Sequence, residues 1–319
     1  MRPIGTVDLG GTFLRTGWWQ DGGWLLTKDE RTRTRDGQAG LTEQIISAVK
    51  AGPSIRGLVV ATAGDLSPAT GYIHEAANLP LDNVDLRQLL SQRLGVPVAV
   101  LGDAAAGTVA EFVVGAGKGV SQGVFLTIST GIGMGLVING TLVSGLDHQA
   151  GELGHIPVDT SPSAPACPCG QTGCLEAFAS GSGLVARYYA LESMAANSDL
   201  DGRAIVEMAE QGHTQAGKVV EQGSRLLGGA LATLIRVLCP QAIVMGGGLA
   251  QSHYYMGLAT GWLERILAVT VPGSSRLILP AICQPSTPLV GGALAGAGDK
   301  TARRLLEGTG YREQLEALW

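Results

Sequence analysis

Apolar and polar positions along this chain switch period again and again. Ile4 to Asp8 is a short β-prone run that ends at Gly10-Gly11-Thr12. Phe13 to Gln20 is extended again, turns at Asp21-Gly22-Gly23, and returns over Trp24 to Thr27. A later passage has the same layout: apolar Val124 to Ile128, then Ser129-Thr130-Gly131-Ile-Gly133-Met-Gly135. Leu136 to Ile138 continues it, Asn139-Gly140 turns, and Thr141 to Val143 returns. Asp-Gly and Asn-Gly between β-prone runs are strong hairpin signals. A unit that occurs twice predicts two similar domains facing each other, which we place at residues 1–118 and 119–319.

Between these units strands and helices alternate. Helical periodicity covers Leu41 to Ala51, Leu86 to Leu94, Ala104 to Val114, Leu175 to Ser193, Gly202 to Gly212 and Thr214 to Val237. Ile55 to Ala61, Val96 to Leu101 and Ala242 to Met245 read as buried strands. This alternation predicts an α/β architecture, with covered and mainly parallel sheets and antiparallel hairpins at their edges.

Composition narrows the function classes. With 319 residues, 45% of them apolar and 15% charged, the chain has ample material for two globular cores. A net charge of -5 argues against a nucleic-acid partner, which needs a basic face. The best apolar stretch, Leu226 to Leu238, is too short for a membrane span and carries Arg236. The first residues lack a signal-peptide core, and the cysteines are few, so a reducing cytoplasmic setting is expected. The 48 glycines gather in turns between apolar runs, where backbone approaches a ligand or other backbone.

Glycine turns at strand ends can present backbone N–H groups to phosphate oxygens. Asp8 precedes Gly10-Gly11-Thr12, where a carboxylate can hold Mg²⁺ directly or through water. Thr130, Gly131 and Gly133 repeat the device, and Gly246-Gly247-Gly248 adds a third flat surface suited to a nucleotide. Each turn alone is ordinary, and neither a dinucleotide fingerprint nor a Walker loop is present. The pairing of two matching turns is what predicts a nucleotide cleft.

Asp103 follows a strand and precedes a helix, at a carboxyl end where open α/β sheets bind ligands. It either caps that helix or takes the proton from an attacking hydroxyl, as the base of a phosphotransferase does. The phosphate turns favour the second role. His155, Cys167, Cys169 and Cys174 form a compact group in Gly151-Glu-Leu-Gly-His155 and Cys167-Pro-Cys169-Gly-Gln-Thr-Gly-Cys174-Leu-Glu176. Three thiolates and an imidazole complete a tetrahedral Zn²⁺ shell with no open position, the mark of a structural site. The spacing fits neither a thioredoxin-like pair nor an iron–sulfur cluster. Glu152 and Glu176 flank the loop without being needed as ligands, so they are placed to grip a polar substrate. Used as a glycosidase pair they would leave the phosphate turns unexplained.

Taken together, Asp8-Leu-Gly-Gly-Thr12, Asp103, the Ser129–Gly135 turn, the His/Cys₃ loop, Cys174-Leu-Glu176-Ala-Phe-Ala-Ser-Gly181 and Gly246-Gly-Gly248 resemble the ROK family of sugar kinases and repressors. The resemblance covers nearly the whole chain. It implies the two-domain actin-like ATPase (ribonuclease H-like) fold, with a nucleotide and sugar cleft between domains. It further implies Mg²⁺- and ATP-dependent phosphorylation of a hexose, usually at its 6-hydroxyl, by a homodimer or homotetramer. Asp103 matches the base, Glu152, His155 and Glu176 the sugar contacts, and Asn78 and Gly64 further sugar-side positions. Asp8 comes almost at once after Met1, so a repressor's N-terminal DNA-binding domain is not expected. A sugar sensor without catalysis and a polyphosphate-using kinase are the other readings the same residues allow.

The departures cluster on the sugar side. Gly102 stands where the family usually has Asn before the base, and Ala104-Ala105 follow in place of Ala-Asn. Ala61-Thr62-Ala63-Gly64 replaces a Pro-Gly turn, and the Trp after Leu-Pro is absent, with Leu81-Asp82-Asn83 in its place. Losing a hydrogen-bonding side chain in a polar pocket leaves a hydroxyl unpaired or makes room for another substituent. The substrate expected is a hexose or hexose-like molecule, and an amino sugar such as kanosamine or a C7 cyclitol would fit the altered pocket in place of plain glucose.

Overall fold

The structure, a computed structural model, describes residues 2–76, 78–145, 150–192, 200–283 and 286–319. By its internal contacts the chain divides into two compact units, Met1–Gln122 with Gly135–Ala150 and Ala281–Trp319, and Gly123–Met134 with Gly151–Pro280.

The first unit opens with β1 (Ile4–Leu9), β2 (Phe13–Gln20) and β3 (Gly23–Arg31), followed by α1 (Gly37–Lys50) and β4 (Gly57–Thr62). Short strands β5 (Asp65–Leu66), β6 (Tyr72–Glu75) and β7 (Asp82–Asp85) lead to α2 (Leu86–Leu94), β8 (Val98–Gly102) and α3 (Asp103–Val113). The main sheet runs β3-β2-β1-β4-β8, and β5-β6-β7 form a small one. β1 and β2 are antiparallel, as the glycine turn between them requires, while β1–β4 and β4–β8 are parallel. Every residue of β1 and β4 is buried, the signature of a strand covered on both faces. Each of Leu58, Val59 and Val60 in β4 is fully buried and contributes about 1.5–3 kcal/mol.

In the second unit begin β9 (Gly123–Ile128) and β10 (Ile132–Ile138), with β11 (Thr141–Leu142) completing a hairpin. The division between units falls inside β10. α4 (Glu176–Ala179), α5 (Gly181–Glu192), α6 (Gly202–Glu210) and α7 (Thr214–Leu238) precede β12 (Ala242–Gly246), α8 (His253–Leu267) and β13 (Ile278–Pro280). The second sheet has the order β11-β10-β9-β12-β13, with β9–β12 and β12–β13 parallel. α7 buries Val219, Val220, Leu227, Leu231 and Ile235 on one face. It stops at Cys239, left-handed at φ 46, just before Pro240, which cannot continue a helix. α9 (Thr287–Ala297), α10 (Lys300–Leu305) and α11 (Gly310–Leu315) belong to the first unit.

Two local expectations are corrected. The helix expected over Leu175 to Ser193 is two helices, broken at Ser180, whose ψ is 167; Ser193 itself lies outside the described residues. The Ser180 hydroxyl accepts the Gly183 N–H at 3.0 Å and so opens a new helix. The strand expected from Leu136 begins at Ile132, because the turn before it is tight: Ser129 N–H already bonds the Gly131 carbonyl at 2.9 Å. Gly133 therefore sits within a strand instead of a loop.

Candidate active site

In the first unit the Gly10–Thr12 turn joins β1 to β2, and its register sets Asp8 opposite Arg15. Paired residues of antiparallel strands point to one face. Arg15 Nη1 accordingly donates to Asp8 Oδ2 at 3.1 Å, and the Ser286 hydroxyl donates to the same oxygen at 2.5 Å. Burial pushes the Asp8 carboxyl above its ordinary range, although Ser286 and Arg15 both pull the other way. The turn is braced by Gly10 N–H to the Phe13 carbonyl at 3.0 Å and by the Thr32 hydroxyl to the Gly10 carbonyl at 2.6 Å. A Cβ on Gly11 would lie 2.9 Å from the Asn78 carbonyl oxygen. The glycine thus lets the turn close on the Asn78 segment, bringing two predicted site positions together. Gly64 takes φ 132 beside the Glu75 carbonyl, a backbone conformation that favours glycine.

Asp103 is the first residue of α3, and the N-cap is Gly102, which offers no side chain. Its Oδ1 accepts the Ala104 N–H at 2.7 Å. The partial positive charge of the helix start favours a carboxylate at this place. Beside it, the Tyr311 hydroxyl lies 3.3 Å from Gly102 N.

The second unit carries the other group. His155, Cys167, Cys169 and Cys174 place their ligand atoms within 4.8 Å of one another. Cys167 Sγ is 3.6 Å from His155 Nδ1, and Cys169 Sγ is 3.7 Å from Cys174 Sγ. Metal–ligand lengths of about 2.3 Å to sulfur and about 2.0–2.1 Å to nitrogen give tetrahedral edges of roughly 3.8 and 3.6 Å. The sulfurs are far beyond the roughly 2.05 Å of a disulfide. Without a cation, burial pushes the Cys167 thiol up to about 12 and raises that of Cys174. Both the geometry and the chemistry of the donor set fit Zn²⁺. A metal on Nδ1 leaves Nε2 of His155 protonated, and that nitrogen stands 3.7 Å from Glu152 Oε2.

Glu176 has a second task that the sequence does not announce. Its Oε2 accepts the Ile132 N–H at 2.7 Å, and a Cβ on Gly131 would sit 2.6 Å from that same oxygen. The carboxylate next to Cys174 therefore pins the Thr130–Gly131 turn. The Ser182 hydroxyl donates to the Thr130 carbonyl at 2.8 Å and braces it further. Gly246 ends β12, Gly247 takes φ 89, and Gly248 faces Arg203, whose Nη2 would be 2.9 Å from a Cβ there.

Arg15, Ser286, Arg203 and Tyr311 are the residues that sequence reading missed. The first had a signal: Asp8 and Arg15 are symmetric about the turn. Ser286-Thr-Pro is a helix-start signature. Arg203 and Tyr311 had none.

The chain belongs to the ROK family, whose model matches residues 4–295. It is 32% identical over 265 residues to a glucokinase of Halalkalibacterium halodurans, covering 77% of this chain and 80% of the relative. It is 29% identical over 295 residues to an N-acetylmannosamine kinase of Yersinia pestis, covering 90% and 96%. The ROK family glucokinase from Streptomyces griseus, solved with glucose and AMPPNP, superposes with a TM-score of 0.75 at 28% identity, covering 91% of this chain and 98% of that one. The fold is that of the actin-like ATPases.

Proposed function

We propose that this protein is an ATP-dependent sugar kinase that phosphorylates a hexose or hexose-like polyol, at the 6-hydroxyl of a hexose. The observation that carries the reading is Asp103. In a ROK chain it opens α3 directly beyond the carboxyl end of β8, in the same unit as the Asp8 turn. Asp103 takes the proton from the substrate hydroxyl as its oxygen attacks the γ-phosphorus. The bond from that phosphorus to the β–γ bridging oxygen breaks, and ADP leaves. Gly10, Gly11 and Thr12 of the first unit, and Thr130, Gly131 and Gly133 of the second, are each suited to phosphate oxygens, and Gly246 to Gly248 to the adenosine. Asp8 would hold Mg²⁺, directly or through water, and the ion would supply neutralisation of charge developing on the transferred group. Asn78, Glu152, His155 Nε2 and Glu176 bond sugar hydroxyls. His155, Cys167, Cys169 and Cys174 would hold a zinc ion, which would stiffen that loop and fix the His155 tautomer.

The finer substrate follows from Gly102. Its lack of a side chain next to the base supports a sugar altered at its middle positions, an amino sugar such as kanosamine or a C7 cyclitol, over plain glucose. Coupled ADP release over glucose, mannose, their amino and N-acetyl forms, kanosamine and a C7 cyclitol tests both levels. Asp103→Asn, with fold and nucleotide binding intact, should cut turnover of the best substrate about a hundredfold or more. Near-full turnover in that variant would reduce Asp103 to a helix-start residue and remove the mechanism.

A further inference from the structure

β8 is the outer strand of its sheet, so one row of its backbone groups has no neighbouring strand. Helix α11 supplies the partners instead. Gln314, fully buried, accepts the Val100 N–H on Oε1 at 2.9 Å and donates from Nε2 to the Val100 carbonyl at 3.1 Å and the Pro68 carbonyl at 2.6 Å. Three residues earlier, Tyr311 Oη lies 3.3 Å from Gly102 N and accepts its proton. Alternate strand residues present their N–H groups on one side, and helix residues three apart share a face. Tyr311 and Gln314 therefore read positions 102 and 100 in register, and α11 seals the edge where a further strand would pair.

The position of Tyr311 has a consequence for chemistry. Gly102 has φ -63 and ψ 143, an extended conformation open to any residue. A side chain at this position would meet the tyrosine: a Cβ on Gly102 would lie 3.1 Å from Tyr311 Oη, so the hydroxyl would have to give way by a few tenths of an ångström. The hydroxyl is held on the Leu101–Gly102 peptide, one peptide unit ahead of the one that leads into Asp103. Tyr311 lies outside residues 4–295 matched by the family model.

We propose that Tyr311 is a positioning residue for Asp103: its hydroxyl, held on the Gly102 peptide, orients the strand-to-helix turn from which the base projects. This rests on the reading of Asp103 as the base.

The test compares wild type, Asp103→Asn, Tyr311→Phe, Gly102→Ala and the Tyr311→Phe/Gly102→Ala double variant, with the best sugar from the screen. Tyr311→Phe keeps the ring and removes only the hydroxyl. It should lower kcat about five- to twentyfold, the scale of one misplaced contact, with KM for ATP unchanged within twofold. The acidic limb of its kcat–pH profile should move as well, which a purely structural residue would not cause. Gly102→Ala should cost kcat in wild type but markedly less in the Tyr311→Phe background, because the crowding atom is gone. A kcat within twofold of wild type in Tyr311→Phe, with Gly102→Ala equally costly in both backgrounds, overturns the proposal. Should Tyr311→Phe not fold, Gly102→Ala alone decides: a folded variant with unchanged kcat and pH profile overturns it. Asp103→Asn retaining turnover would instead bring down the base assignment, and this inference with it.

Discussion

Replacing Cys169 with serine is the sharpest probe of the His155–Cys174 loop. Freshly purified wild type should carry one zinc per chain. Two of the separations among the four ligand atoms, 3.6 and 3.7 Å, match tetrahedral edges, and all four atoms lie within 4.8 Å of one another. Structural zinc is worth about 10–16 kcal/mol in apparent terms, on the order of a whole domain's stability of about 5–15 kcal/mol. Losing one of four ligands, with His155, Cys167 and Cys174 still in place, removes roughly a quarter of that, about 2.5–4 kcal/mol. For a unit of this size the conversion is roughly 2–4 °C per kcal/mol, so Tm should fall by about 5–16 °C. Elemental analysis and thermal melts read both quantities.

The functional consequence should be selective. Cys174 leads directly into Glu176, which holds the Ile132 N–H, and His155 turns Nε2 toward Glu152. Loosening the loop should raise KM for sugar several-fold while KM for ATP changes little, because the Gly246–Gly248 surface has its own support. Cys239→Ser is the control, since Cys239 is exposed and lies at the end of α7. Zinc-free wild-type protein, or a Cys169→Ser variant with full metal content and an unchanged melt, would refute the account.

Other outcomes follow from single contacts. Gly131→Ala would drive a methyl to within 2.6 Å of Glu176 Oε2 and break its bond to Ile132; the loss of about 1.5–3 kcal/mol for a charged hydrogen bond should appear in the melt and in a raised sugar KM, and an unchanged sugar KM would contradict the pinning role. Asp8 has its pKa raised from 3.8 by burial, so its ionised form opposes folding: the contribution favours the folded state below the unfolded pKa and is lost as pH rises through the folded one. Nucleotide-free Asp8→Asn should therefore melt higher than wild type at neutral pH, with the gap closing toward pH 4 while activity is lost; a gap independent of pH would count against this. Arg203→Ala should raise KM for ATP roughly two- to thirtyfold, the range of about 0.5–2 kcal/mol for a guanidinium stacked on a ring, and steady-state kinetics with both substrates varied would expose any effect on sugar instead.

The parts of the molecule that were legible in the sequence share one property: the residue pattern and the fold demand the same thing. β1, β4, β9 and β12 are apolar runs buried almost throughout, and nothing in their neighbourhood competes with that reading. The metal cluster was legible because ligand identity alone closes the shell. Where tertiary contacts overrule local preference, reading failed. α9 is Thr-Pro-Leu-Val-Gly-Gly-Ala-Leu-Ala-Gly-Ala, poor helix material by propensity. It is helical because Gly291 and Gly292 let it close on the Ala106 carbonyl and on Thr6. β5, β6 and β7 are two to four residues each and largely polar, so only pairing defines them.

The same distinction explains why the sugar side is the harder half of the site to read. A phosphate turn needs glycines at set places between strands, and those places are visible in one dimension. A pocket that discriminates sugars needs side chains delivered from distant segments, and here Tyr311 reaches Gly102 across 209 positions of sequence. Gly102 looks like a simple deletion when only its neighbours are considered. In the fold the Tyr311 hydroxyl stands on its N–H, 3.1 Å from where a Cβ would be, a neighbour that no local pattern reveals. Hydroxyl matching is where polar sites gain their largest discrimination, so the contacts that set it are the ones a one-dimensional pattern shows least.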